Sequence, residues 1–74
     1  MLTAADAYNE YVMTALRTVD GIDKSLVAPE YVEHLSRSVQ RFVDEGFIAE
    51  TTTHYRPTPK GLLQADGIAA SLFV

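Results

Sequence analysis

The chain has 74 residues, enough for one hydrophobic core and too few for a second domain, and its 47% apolar and 22% charged content excludes disordered and fibrous classes. Six Lys and Arg against ten Asp and Glu give a formal charge of −4, which repels phosphate backbones and puts nucleic acid at a disadvantage. There is no cysteine, so disulfides, thiolate zinc sites, iron–sulfur ligation and thiol nucleophiles are excluded together.

Thr3, followed three residues later by Asp6, is a capping-box variant that opens a first helix. Tyr8, Tyr11, Val12, Ala15, Leu16 and Val19 recur at spacings of three and four and form its buried stripe, with Gly21 as a left-handed stop. Asp23 is a fresh N-cap, and residues 24–28 predict a short second helix before Pro29, whose ring disfavours helical geometry at Ala28. A third helix is predicted over roughly residues 30–45, with Tyr31, Val32, Leu35, Val39, Phe42 and Val43 inward and Gly46 as its C-cap. Its outer face carries Glu30, Glu33, His34, Arg37, Arg41, Asp44 and Glu45 and reads as solvated.

Residues 47–52 and 55–58 predict a β-hairpin joined at Thr53-His54, although no Gly or Asn supplies the positive φ that tight turns favour. Pro57 cannot donate to a ladder, so its strand must be at an edge or ending. Thr58-Pro59 then starts a fourth helix whose buried stripe is Leu62, Ala65, Ile68, Ala69, Leu72 and Phe73. The fold class expected is α+β, mostly helical and winged-helix-like, a helix-turn-helix followed by a small hairpin and a C-terminal helix.

Chemistry-bearing patterns are sparse. The outer face of the third helix sets four acids against Arg37 and Arg41, the wrong balance for a DNA-reading helix. His54, Arg56 and Lys60 make the one basic neighbourhood, and three scattered cations read as a solvated edge. His34 and His54 stand twenty residues apart without a second ligand at helical spacing, so no metal site is assigned to them. No phosphate loop, Ser-His-Asp set or matched carboxylate pair is present, and no catalytic or cofactor-binding residue is assigned. Gly61 and Gly67 fall inside the fourth helix, where glycine is costly and marks either plain tolerance or a neighbour that approaches closely; at Gly67, on the polar stripe, such a neighbour would belong to another chain or domain. On the first helix Asp6, Glu10, Met13 and Arg17 project together, an adaptable thioether bordered by charges, and form the candidate docking surface. Neither a membrane span nor a signal peptide is expected, and the cytoplasm is the default compartment.

The run Ala7-Tyr-Asn-Glu-Tyr-Val-Met-Thr-Ala-Leu-Arg-Thr18, then Gly21-Ile-Asp23, Gly46, and Thr58-Pro-Lys-Gly-Leu-Leu-Gln-Ala-Asp66 with the ending Leu72-Phe73, resembles a known family. It is similar to the C-terminal domain of the oxygen-independent coproporphyrinogen III oxidase-like radical SAM proteins, which include haem chaperones. The likeness spans Leu2 to Phe73, and Asn-Glu-Tyr-x-Met-x-x-Leu-Arg is its most specific block. Pro57, and a turn lacking Asp-Gly, depart from the pattern of relatives and bear on the regularity of the hairpin.

The resemblance implies a fragment of a longer protein whose N-terminal barrel binds a [4Fe–4S] cluster through Cys-x3-Cys-x2-Cys and uses S-adenosylmethionine. The expected partner is that barrel, with tetrapyrrole substrate contacted through the parent and no nucleic acid or membrane partner. The leading expectation is a non-catalytic accessory domain that packs on the barrel and helps cover the substrate. The alternative is a free-standing winged-helix regulator or protein-interaction module; direct tetrapyrrole binding through His34 or His54 ranks third.

Overall fold

Thr3 opens the first helix with a complete capping box in the computed structural model, which describes residues 3–74. The Thr3 hydroxyl accepts from the Asp6 amide at 3.0 Å, and the Asp6 carboxylate accepts from the Thr3 amide at 3.2 Å. Helix α1 (Ala4–Ala15) turns Tyr8, Val12 and Ala15 inward, and Leu16 just beyond it is also buried. It stops well short of Gly21. The Thr18 hydroxyl donates to the Ala15 carbonyl at 2.8 Å and accepts from the Gly21 amide at 3.2 Å, so a side chain takes over the bonding that would have continued the helix. Val19 therefore leaves the predicted stripe and is 64% exposed.

Gly21 does adopt the left-handed region, at φ +71°, but it serves a strand instead of a helix end. A side chain there would run into the Tyr55 carbonyl, and the close approach lets Ile22–Asp23 pair as strand β1. Sequence periodicity could not show a two-residue strand. The predicted second helix shrinks to a 3-10 turn, Lys24–Leu26, because Val27 and Ala28 are already extended ahead of Pro29.

Helix α2 (Pro29–Asp44) buries Leu35, Val39 and Phe42 and half-buries Tyr31 and Val43. Val32, assigned inward by its spacing, is 47% exposed, whereas its neighbour Tyr31 packs against the core beside Tyr8. Gly46, at φ +82°, ends α2 as anticipated. The Phe47 amide reaches back to the Phe42 carbonyl at 2.9 Å and the Gly46 amide to the Val43 carbonyl at 3.2 Å. These are the paired bonds of a Schellman motif, and its usual hydrophobic contact is the edge-to-face meeting of Phe42 and Phe47.

Strands β2 (Ile48–Glu50) and β3 (His54–Pro57) form the hairpin, shorter than predicted, with His54 inside the second strand and Phe47 outside the first. The sheet is antiparallel in the order β1-β3-β2, with Ile22 opposite Tyr55 and Ile48 opposite Pro57. Pro57 is the last residue of its strand and β1 pairs no further than Tyr55, so the missing N–H breaks no ladder. The turn manages without positive φ because the Thr51 hydroxyl accepts from the amides of both Thr53, at 3.3 Å, and His54, at 2.9 Å.

Thr58 caps the next helix, but the predicted fourth helix is two pieces, α3 (Pro59–Leu62) and α4 (Ala65–Leu72). Gly61 lies flush on the backbone of Phe47, which fixes α3 against the start of β2. The chain then bends at Gln64 (φ −115°, ψ 17°), laying α4 against α1 and α2. The bend throws Leu63 outward. Phe73, placed on the buried stripe by spacing, follows the end of α4 in an extended conformation and is 36% exposed. Val12, Leu16, Ile22, Leu35, Val39, Ile48 and Leu72 form the fully buried centre, drawn from α1 and the residue after it, β1, α2, β2 and α4. The expected α+β, mostly helical class is the one observed.

Candidate functional site

Asp6, Glu10, Met13 and Arg17 differ in how far the fold already uses them. Asp6 is engaged in the Thr3 capping box, while the Glu10 side chain is exposed and its backbone carbonyl accepts from the Thr14 hydroxyl at 2.9 Å. Met13 is 37% exposed, an apolar group left between charges. Arg17 lies past the end of α1 and turns toward α4, where its Nε and one Nη donate to Asp66 Oδ1 at 3.2 and 2.9 Å. Both partners are well exposed, so the pair adds little stability but fixes the guanidinium.

Beside that pair lies an open cleft lined by Arg17, Leu63, Gln64, Asp66 and Gly67 among others. Leu63, 86% exposed, is its most exposed apolar group and was missed by sequence reasoning. A signal existed: Leu63 falls on the side of the helical wheel opposite the stripe that Leu62, Ala65, Ile68, Ala69 and Leu72 share.

His34 sits on α2's expected solvated face but does not behave as a solvated residue. Its Nε2 stands 3.1 Å from the Leu72 carbonyl and 3.2 Å from that of Phe73, and the ring meets Tyr8 edge-on. The Tyr8 hydroxyl donates to the same Leu72 carbonyl at 2.9 Å, and burial pushes this phenol up to about 12. Asn9 exchanges hydrogen bonds with the Val74 backbone at 2.9 and 3.3 Å. His34 is thus a structural fastener for the end of the chain.

His54 belongs to a separate group at the hairpin. Its Nδ1 lies 2.8 Å from the Thr53 hydroxyl, and its Nε2 faces Asp23 Oδ2 at 3.9 Å. Two hydrogen bonds from Ser25, and then the facing imidazole, hold the Asp23 carboxyl below the usual range. Hydroxyl, imidazole and carboxylate stand in series here, but the last gap exceeds hydrogen-bond reach, so no proton relay is aligned. The remaining basic residues disperse: Arg56 donates to the Val19 carbonyl, and Lys60 lies over the Phe47 ring and donates to the Glu45 carbonyl.

The donor set does not suit an iron–sulfur cluster, because the chain has no thiolate to offer. Among the described residues no group of three or more His, Cys, Asp or Glu could hold a metal ion. Among them, too, no helix is long and apolar enough to cross a membrane.

No curated protein and no solved structure matches the chain significantly. Residues 2–64 match the family described as the HemN C-terminal domain, so the chain belongs to that family, the C-terminal domains of HemN-like coproporphyrinogen oxidases.

Proposed function

We propose that the chain is a non-catalytic C-terminal accessory domain of a longer oxygen-independent coproporphyrinogen III oxidase or related haem chaperone of the radical SAM type. Its role would be to pack on the N-terminal barrel and help cover the tetrapyrrole substrate, with the cluster and S-adenosylmethionine held by the barrel. Family membership carries this reading, and a chain with no cysteine and no aligned catalytic groups agrees with a supporting role. Asp6, Glu10, Met13 and Arg17 are the surface assigned to the barrel, with Met13 as the apolar contact and the fixed Arg17 as the polar one.

The reading frame upstream of Met1 tests the context: a Cys-x3-Cys-x2-Cys motif is expected there, and a gene coding for this stretch alone overturns the proposal. In the longer protein, Met13→Lys should speed proteolytic release of the domain while leaving the urea stability of the 74-residue chain unchanged. The isolated chain should gain no cluster absorbance when mixed with iron, sulfide and S-adenosylmethionine; a bound cluster would contradict the accessory role.

A free-standing winged-helix regulator draws support from the element order, with β1 joining the hairpin in one small sheet. The exposed face of α2 sets Glu30, Glu33, Asp44 and Glu45 against Arg37 and Arg41, which works against a DNA backbone. A mobility shift of duplex DNA that weakens steeply with salt would favour this second reading.

A further inference from the structure

The chain itself accounts for three of its four glycines. Gly21 and Gly46 take positive φ, and Gly61 is pressed against the Phe47 backbone. Gly67 has ordinary helical φ, sits inside α4 and faces open space, with nothing within 4 Å of where a side chain would begin. Glycine is a poor helix residue, so its use there gains nothing inside this chain.

Gly67 forms part of a groove between the C-terminal end of α2 and α4, together with Arg41, Phe42, Glu45, Phe47, Gln64 and Ile68. Phe42 and Phe47 meet edge-on with ring centroids 6.3 Å apart. Each carries a cation on its face: Arg41 lies 4.7 Å from the Phe42 centroid, and Lys60 Nζ lies 4.3 Å from that of Phe47. Arg17, Lys24 and Arg37 each have a carboxylate within 4 Å; among the described residues Arg41, Arg56 and Lys60 have none, and of these Arg56 donates to the Val19 carbonyl. In a molecule of net charge −4, Arg41 in the lining of this mixed groove and Lys60 over Phe47 beside it leave an unmet preference for a carboxylate.

We propose that this groove docks an acidic, amphipathic segment of a partner protein, a carboxylate meeting Arg41 and Lys60 while an apolar side chain settles over Gly67 against Phe42, Phe47 and Ile68. Glu45 on the rim makes a uniformly anionic segment a poor fit and one with spaced acids a good one. The groove contains none of the four residues assigned to the barrel, so this inference stands apart from the accessory-domain reading and can fail without it.

The test is an NMR titration of the 74-residue chain with a short peptide alternating Glu and Leu, and with the same peptide carrying Lys for Glu. The Glu peptide should shift the amides of Phe47, Gly67 and Ile68 saturably, less so as salt rises, and the Lys peptide should not. The double variant Arg41→Gln/Lys60→Gln should weaken binding by about tenfold or more. Gly67→Leu should abolish it with the circular dichroism spectrum unchanged. Equal binding of both peptides, undiminished binding by the double variant, shifts centred on Met13, or no saturable shift at the solubility limit would each overturn the proposal. So would concentration-dependent shifts of these amides without peptide, since a second copy would then be the occupant.

Discussion

The Tyr8 hydroxyl donates to the Leu72 carbonyl at 2.9 Å, joining the first helix to the end of the last across 64 positions of sequence. Tyr8→Phe should cost about 1 kcal/mol at neutral pH, because one buried hydrogen bond is lost while the carbonyl keeps His34 beside it. The alkaline limb should change more plainly. Burial raises the phenol to about 12 from an unfolded value of 10.0, so the stability it contributes is complete below the lower figure and is lost as pH climbs to the upper. Urea unfolding of wild type should weaken across that window, and Tyr8→Phe should lose less over the same range.

Asp23 titrates in the opposite sense. Its carboxyl is held below the usual range by Ser25 and then His54, so its contribution is present above the unfolded pKa and disappears as pH falls through the folded one. Asp23→Asn should unfold more easily than wild type at neutral pH, with the two denaturation midpoints converging in acid. Parallel curves down to the lowest pH would remove Asp23 from the acid response.

Two glycines of the C-terminal segment should respond oppositely to one methyl group. Gly61→Ala forces a side chain into the Phe47 backbone, which cannot swing aside, and should cost about 1–3 kcal/mol. Gly67→Ala enters open space in a helix interior and should stabilise by up to about 1 kcal/mol. Thermal melts of the two variants would show whether the melting temperature moves in the two directions.

Leu63, ahead of α4, and Leu72, at its end, should separate just as clearly. Leu72 is fully buried, and Leu72→Ala should cost about 2–5 kcal/mol, enough to unfold much of a domain this small. Leu63→Ala should fall within about 0.5 kcal/mol of wild type, since its side chain is almost wholly in water.

The legible parts of the sequence were those written in local chemistry. Thr3-Asp6, Gly46 and Thr58-Pro59 mark helix ends through side-chain or backbone bonds reaching at most a few residues, and each does what its residue type predicts. Val19, Val32 and Phe73 were misplaced because periodicity gives a direction around a helix but not where that helix stops or what covers it. Strand β1 exists only because Gly21 lets the chain touch Tyr55, some thirty positions away, and no local pattern records that contact. His34 was misjudged for the same reason, its partners being carbonyls at the far end of the chain. On the α1 ridge the four residue names were readable, but the tie of Arg17 to Asp66 was not.

Helix α4 follows α1 and α2 in the sequence and packs on both, contributing Ala65, Ile68, Ala69 and Leu72 to the centre. Until those residues leave the ribosome, α1 and α2 hold an oily trough with no lid, so chaperones should engage this domain once α2 has emerged and let go when α4 has followed it.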